Sequence, residues 1–185
     1  MKNNPWESSL IKPPHKVEGA PKEARESFYE LAKNRIKYLN RKEYLEWVDV
    51  PYEYKWVYSS PAMNIINAET VKEEDNLEKW VDRLEIAVNK DAFKINEKDY
   101  SDLIPFVAEH EIYEAWLTSK KGAASTLERG KKHLLAQRRA FFLAEEQGLG
   151  DKFLEWVKLT APTVKHIKQC EYALKVAKKQ LARKK

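Results

Sequence analysis

Apolar positions along the chain change their period several times, and each change marks an expected element. Between residues 21 and 47, Phe28, Leu31, Ala32, Ile36 and Leu39 recur mostly at steps of three and four. That spacing predicts one long helix opened by Pro21, and Pro51 prevents its continuation. Beyond it Tyr52, Tyr54, Trp56 and Tyr58 alternate with Glu53, Lys55, Val57 and Ser59, the two-residue period of a half-buried strand. A second short strand is expected at 63–68. Leu84, Ile86 and Val88 alternate with Arg83, Glu85 and Ala87 and predict a third. Between them, Thr70-Val-Lys-Glu73 is a capping box opening a short acidic helix that reaches Trp80.

From residue 101 the spacing is helical. One helix is expected from Ser101 or Asp102 to just before Gly122, with Pro105 tolerated in its first turn. A capping box, Ser125-Thr-Leu-Glu128, starts the next, and Gly148 ends it. A short helix covers 152–158. The last runs from about Pro162 into a basic tail, with Val164, Ile167, Leu174 and Leu181 on one face. Tyr44-Leu-Glu-Trp-Val48 and Phe153-Leu-Glu-Trp-Val157 are alike, but two copies without a period make no repeat architecture. The pattern predicts an α+β fold: a helix-rich single domain over 21–185, with a long N-terminal helix, a sheet of about three strands and a C-terminal helical layer. Residues 1–20, broken by Pro5, Pro13, Pro14 and Gly19, are expected to form an extended or mobile tail.

Composition narrows the class. A chain of 185 residues can bury its own core. Six Trp, nine Tyr and six Phe argue against disorder despite a charged fraction of 34%. The single cysteine, Cys170, excludes an intrachain disulfide and a thiolate zinc cluster. No apolar run approaches the length of a membrane span, and Pro5, Glu7, Pro13 and Pro14 interrupt any signal-peptide core. The cytoplasm is the expected compartment.

The net charge of +5 conceals an asymmetry. Residues 1–120 carry 18 Lys+Arg against 23 Asp+Glu, and residues 121–185 carry 16 against 6. A basic C-terminal third on an acidic body fits an acidic protein or nucleic acid as partner. Its candidate contacts are Arg129, Lys131, Lys132, Arg138, Arg139, Lys178 and Lys179. Alternatively these are solvated helix faces, which their spread and the lack of a nucleic-acid motif favour.

The helix over 101–121 carries the candidate chemistry. Leu103, Val107, His110, Glu114 and Leu117 follow alternating four- and three-residue steps, so two ionisable groups sit in an apolar stripe. Burying them is costly unless something satisfies them. On the next helix His133 shares a stripe with Ala136, Ala140 and Ala144, small residues that permit close approach. That packing would bring His133 to His110 and Glu114. Two His and one Glu with a fourth position for water form a catalytic zinc set, and Glu111 beside them could take a proton from that water. The alternative is a metal-free hydrogen-bonded cluster, completed by Arg138 or Arg139, that fixes helix register.

His110-Glu-Ile-Tyr-Glu114 resembles the His-Glu-x-x-His helix of zincin metallopeptidases, with glutamate in place of the second histidine. In the gluzincin branch a glutamate on the next helix, roughly twenty residues on, is the third ligand. His133 lies 19 residues after Glu114, so the ligand set resembles that one with two members exchanged. The resemblance covers about residues 83–148. It implies a zinc-dependent hydrolase acting on a peptide or protein substrate, or a degenerate member without activity. It also implies zinc on His110, Glu114 and His133, Glu111 as general base, Tyr113 or His166 stabilising an oxyanion, and an edge strand over 83–88 holding extended substrate. The competing class is a non-enzymatic interaction protein that docks through its basic third.

Other features carry less. A ferritin-like di-metal site needs Glu-x-x-His on two helices, and none occurs. An alternating aromatic face such as Tyr52–Tyr58 can stack bases but is more often core. The segment 175–185 lacks the Trp or Phe anchor of a membrane-surface helix. Cys170 has no activating motif and reads as buried, and His15 reads as solvated.

Overall fold

The computed structural model describes residues 22–48, 60–66, 84–118 and 129–183, which form a helix-rich α+β fold. In chain order the elements are α1 (Lys22–Lys33), β1 (Ile36–Leu39), α2 (Arg41–Val48), β2 (Ala62–Ile66) and β3 (Leu84–Asn89). A hairpin of β4 (Lys94–Ile95) and β5 (Lys98–Asp99) follows, then α3 (Ile104–Thr118), α4 (Arg129–Glu146), α5 (Gly150–Thr160) and α6 (Val164–Ala182). The tail over 1–20, the aromatic strand at 52–58, the acidic helix at 70–80 and the capping box at 125–128 lie outside the described residues.

The single helix expected over 21–47 is instead two helices with a strand between them. α1 ends as the N–H groups of Asn34 and Arg35 bond back to the carbonyls of Leu31 and Ala32 at 3.2 and 3.0 Å. Ile36 to Leu39 then pairs in parallel with β3, Ile36 opposite Ile86 and Leu39 opposite Asn89. The apolar spacing fits helix or strand over these few residues, and sheet pairing decides between them. The chain re-enters a helix through a reciprocal capping box. Asn40 N–H donates to Glu43 Oε2 at 3.0 Å, and Glu43 N–H donates to Asn40 Oδ1 at 2.9 Å.

The three-stranded sheet has the order β1-β3-β2, with β2 antiparallel to β3. β3 takes the centre because Leu84, Ile86, Ala87 and Val88 are apolar and buried. It is therefore not an edge strand, as the zincin resemblance implied; among the described residues the edges are β1 and β2.

α3 lies between this sheet and α4. Pro105 occupies its first turn, where a missing N–H costs nothing. Phe106, Val107, Ala108, Ile112, Tyr113, Ala115, Trp116 and Leu117 bury it nearly all round. α4 packs on α3, α5 and α6 through buried Ala136, Ala140 and Ala144. It stops at Gly148, whose φ of 75° suits glycine. There Leu149 N–H bonds to Ala144 O at 2.8 Å and Gly148 N–H to Glu145 O at 3.0 Å, a Schellman ending. Phe141 stacks on Phe153 with centroids 4.5 Å apart, and Phe93 on Trp156 at 4.7 Å. Those rings anchor α5 beneath α4. Among the described residues no helix is long and apolar enough to cross a membrane.

Candidate metal centre

His110 and Glu114 stand one turn apart on α3 and project from the same side. The small residues of α4 let its backbone come close, and His133 meets them there. His110 Nε2 and His133 Nδ1 are 3.1 Å apart. Glu114 Oε2 lies 3.1 Å from His133 Nδ1 and 3.4 Å from His110 Nε2. The side chains of His110 and Glu114 are 12% and 14% exposed, and that of His133 is 39%. The cluster is thus buried from behind and reachable from one side.

Tetrahedral zinc, with nitrogen and oxygen ligands about 2.0–2.1 Å away, holds its donors roughly 3.3 Å from one another. The three separations bracket that value. A proton can lie along only one edge of such a triangle at a time, whereas a cation near its centre meets all three donors. Among the described residues this is the one convergent group of three His, Cys, Asp or Glu side chains.

Burial opposes ionisation of Glu114, but hydrogen bonds with His110 and His133, and their charges, outweigh it and hold the carboxyl well below the usual carboxylate range. Burial likewise opposes charge on His110. The Glu114 hydrogen bond and the charges of Glu111 and Glu114 more than offset it, raising its pKa. The cluster is an anion-biased pocket for a positive charge, either a proton or a metal ion.

Beside it opens a cavity of about 300 Å³. His110, Glu111 and His133 form one end, and Val107, Phe141, Phe153, Trp156 and Val157 form its apolar walls. The turn into α6, including Pro162 and His166, closes another side. Thr163 caps that helix, its Oγ1 accepting from His166 N–H at 3.2 Å. The His166 ring lies 5.9 Å from that of His133. Burial, then the charges of His133 and His110, lower its pKa to about 4 and keep it neutral.

The structure therefore brings His110, Glu111, Glu114, His133 and His166 together, and leaves Tyr113 out. Relative to His110, Val107 and Glu111 point about 60° and 100° to one side of α3, and Tyr113 about 60° to the other. Tyr113 is buried in a second apolar cluster, with the Arg139 guanidinium 5.2 Å over its ring. Arg139 is held away from the cluster: its Nε donates to Glu109 Oε1 at 2.6 Å, and it lies 5.1 Å over Tyr29. Arg138 lies 5.3 Å over Tyr172.

The candidate basic contacts do not share one solvated face. Lys132 is buried, Lys131 and Lys179 are exposed, and Arg129 opens α4. Lys178 reaches Asp151 at 2.7 Å. Cys170 is free and buried, which pushes its thiol up to about 12. One cavity residue, Gln137, was not singled out in the sequence. It lies four residues after His133 and four before Phe141, and that spacing was the available signal.

Comparison with known proteins finds no family model, no curated protein and no solved structure that matches this chain.

Proposed function

We propose that the protein is a zinc-dependent, zincin-like hydrolase of peptide bonds, with His110 Nε2, Glu114 Oε2 and His133 Nδ1 as zinc ligands. The observation that carries this reading is the convergence of those three atoms beside a cavity that His110 and His133, with Glu111 and His166, line. Zinc held there would supply a Lewis acid and lower the pKa of its bound water to about 7. Glu111 takes the proton from the attacking water and returns it to the amine that leaves. Neutral His166 donates a hydrogen bond to the oxyanion formed on the acyl carbon. Val107, Phe141 and Trp156 exclude bulk water from that end of the cavity.

The test is zinc content and proteolysis on the full chain, chelated and then reconstituted. About one zinc per chain is expected, with far less in a folded His133→Ala variant. Glu111→Gln should keep its zinc and lose casein cleavage. No uptake by the unsubstituted chain, or equal uptake by His133→Ala, contradicts the assignment.

A further inference from the structure

α6 buries Cys170, Ala173, Leu174 and Ala177 against the body of the protein. On its opposite side Lys165, Lys168, Tyr172, Lys175 and Lys179 follow steps of three and four and fall within an arc of about 80°. The C-cap residue Arg183 continues the line. All six are exposed, and no carboxylate interrupts the arc. The flanking Lys158 and Lys178 are tied to Glu171 and Asp151, whereas among the described residues none of the four lysines of the stripe forms an ion pair. Arg138 of α4, 5.3 Å over the Tyr172 ring, brings one more positive charge to its middle. Like charges a turn apart on a helix repel each other, so the stripe favours a partner that neutralises it.

We propose that this face of α6 docks on the phosphate backbone of a nucleic acid duplex. From Lys165 to Lys179 it is about 21 Å long, which suits a linear polyanion and not a single small anion. Interfaces between proteins are depleted in lysine and centre on apolar side chains, and this arc holds four lysines and no aliphatic residue. A helix that lies on a membrane inserts an apolar face, and that of α6 is already buried against α4 and α5. Single strands are held through rings on which bases stack; the stripe has one ring, Tyr172, and the Arg138 guanidinium lies over it. A duplex asks only for a row of cations. Lysine meets phosphate as a point charge, and phosphate contacts carry no sequence preference. The surface faces away from the metal cluster and does not rest on zinc.

The test is fluorescence anisotropy of a labelled mixed-sequence DNA duplex titrated with the chelated full-length protein. Four phosphate contacts give log affinity against log salt a slope of about −3.6, a loss of about a hundredfold between roughly 50 and 200 mM salt. Combining Lys165→Gln, Lys168→Gln, Lys175→Gln and Lys179→Gln should abolish saturable binding and leave the circular dichroism unchanged, because all four side chains are exposed. Combining Lys33→Gln, Lys42→Gln, Lys90→Gln and Lys94→Gln, which removes as many charges elsewhere, should keep the affinity within about threefold. No saturable duplex binding, a slope shallower than about −1, or equal losses in the two variants overturns the inference. So does displacement of the duplex by polyglutamate, by phosphatidylserine vesicles or by single-stranded DNA as readily as by unlabelled duplex. The salt slope needs no variant, so the inference stays testable if the stripe variant does not fold.

Discussion

At the residue scale, one carboxylate is shared by two imidazoles. Glu114 has a depressed pKa and His110 a raised one, so their linkage to stability has opposite signs. The lowered carboxyl contributes stability above its ordinary value of 4.5 and loses it as pH falls below that. The raised imidazole contributes stability below its ordinary value of 6.5 and loses it as pH rises through its folded value. Without metal, the pair's contribution is therefore fullest between these two values. Denaturant titrations of chelated protein from pH 4 to 8 should show that window, and Glu114→Gln should flatten it while lowering stability by about 1–3 kcal/mol. A pH profile unchanged by Glu114→Gln would contradict the linkage. With zinc the sign reverses above pH 6, because metal competes with the imidazole protons and binds more tightly as they leave.

The same residues show what a sequence can reveal at this scale. His110 and Glu114 were legible because two polar groups interrupt an apolar stripe, and His133 because its stripe is otherwise alanine. The direction in which the cavity opens from α3 was not legible. It depends on where α5 and the turn into α6 pack, and that choice keeps Glu111 in the site and Tyr113 out. A single amide such as Gln137 carries no ligand-like signature in a sequence.

At the scale of elements, α3 to α6 follow from apolar period and end signals. The first helix does not, because Ile36 and Leu39 fit a helical stripe as well as a strand edge, and only pairing with β3 chooses. The local signal of the break was present in Asn40-Arg-Lys-Glu43, whose two reciprocal bonds restart the helix. Removing that cap by Asn40→Ala should cost about 1 kcal/mol, with Asn40→Asp or Asn40→Ser recovering most of it in chemical denaturation. Gly148→Ala should cost about 1 kcal/mol as well. Its Cβ meets open space, so the loss comes from φ at 75° and not from a clash. Loss of several kcal/mol there would mean that packing, not backbone conformation, sets the site.

At the scale of the whole molecule, one apolar body joins α3, α4, α5 and α6 around the rings of Phe141, Phe153 and Trp156. The same rings serve stability and site, since they are both core and cavity wall. Phe153→Ala should destabilise the fold by about 3–5 kcal/mol in thermal or denaturant unfolding. A loss below 1 kcal/mol would show that the cavity wall is not part of the core. The charge asymmetry between the two parts of the chain was plain in the sequence, but the use of each cation was not. Arg139 is committed to Glu109 and two tyrosine rings, Lys132 is buried and Lys178 is paired with Asp151. Long cationic side chains bury their stems or find partners according to tertiary neighbours that charge counting does not see.

The most direct test of the central claim is X-ray absorption at the zinc edge on the reconstituted full-length protein. Four nitrogen or oxygen neighbours are expected at about 2.0–2.1 Å, two of them with the outer-shell scattering of imidazole, with one imidazole lost in His133→Ala. A six-coordinate shell of oxygen without imidazole, or a spectrum unchanged by His133→Ala, would contradict it.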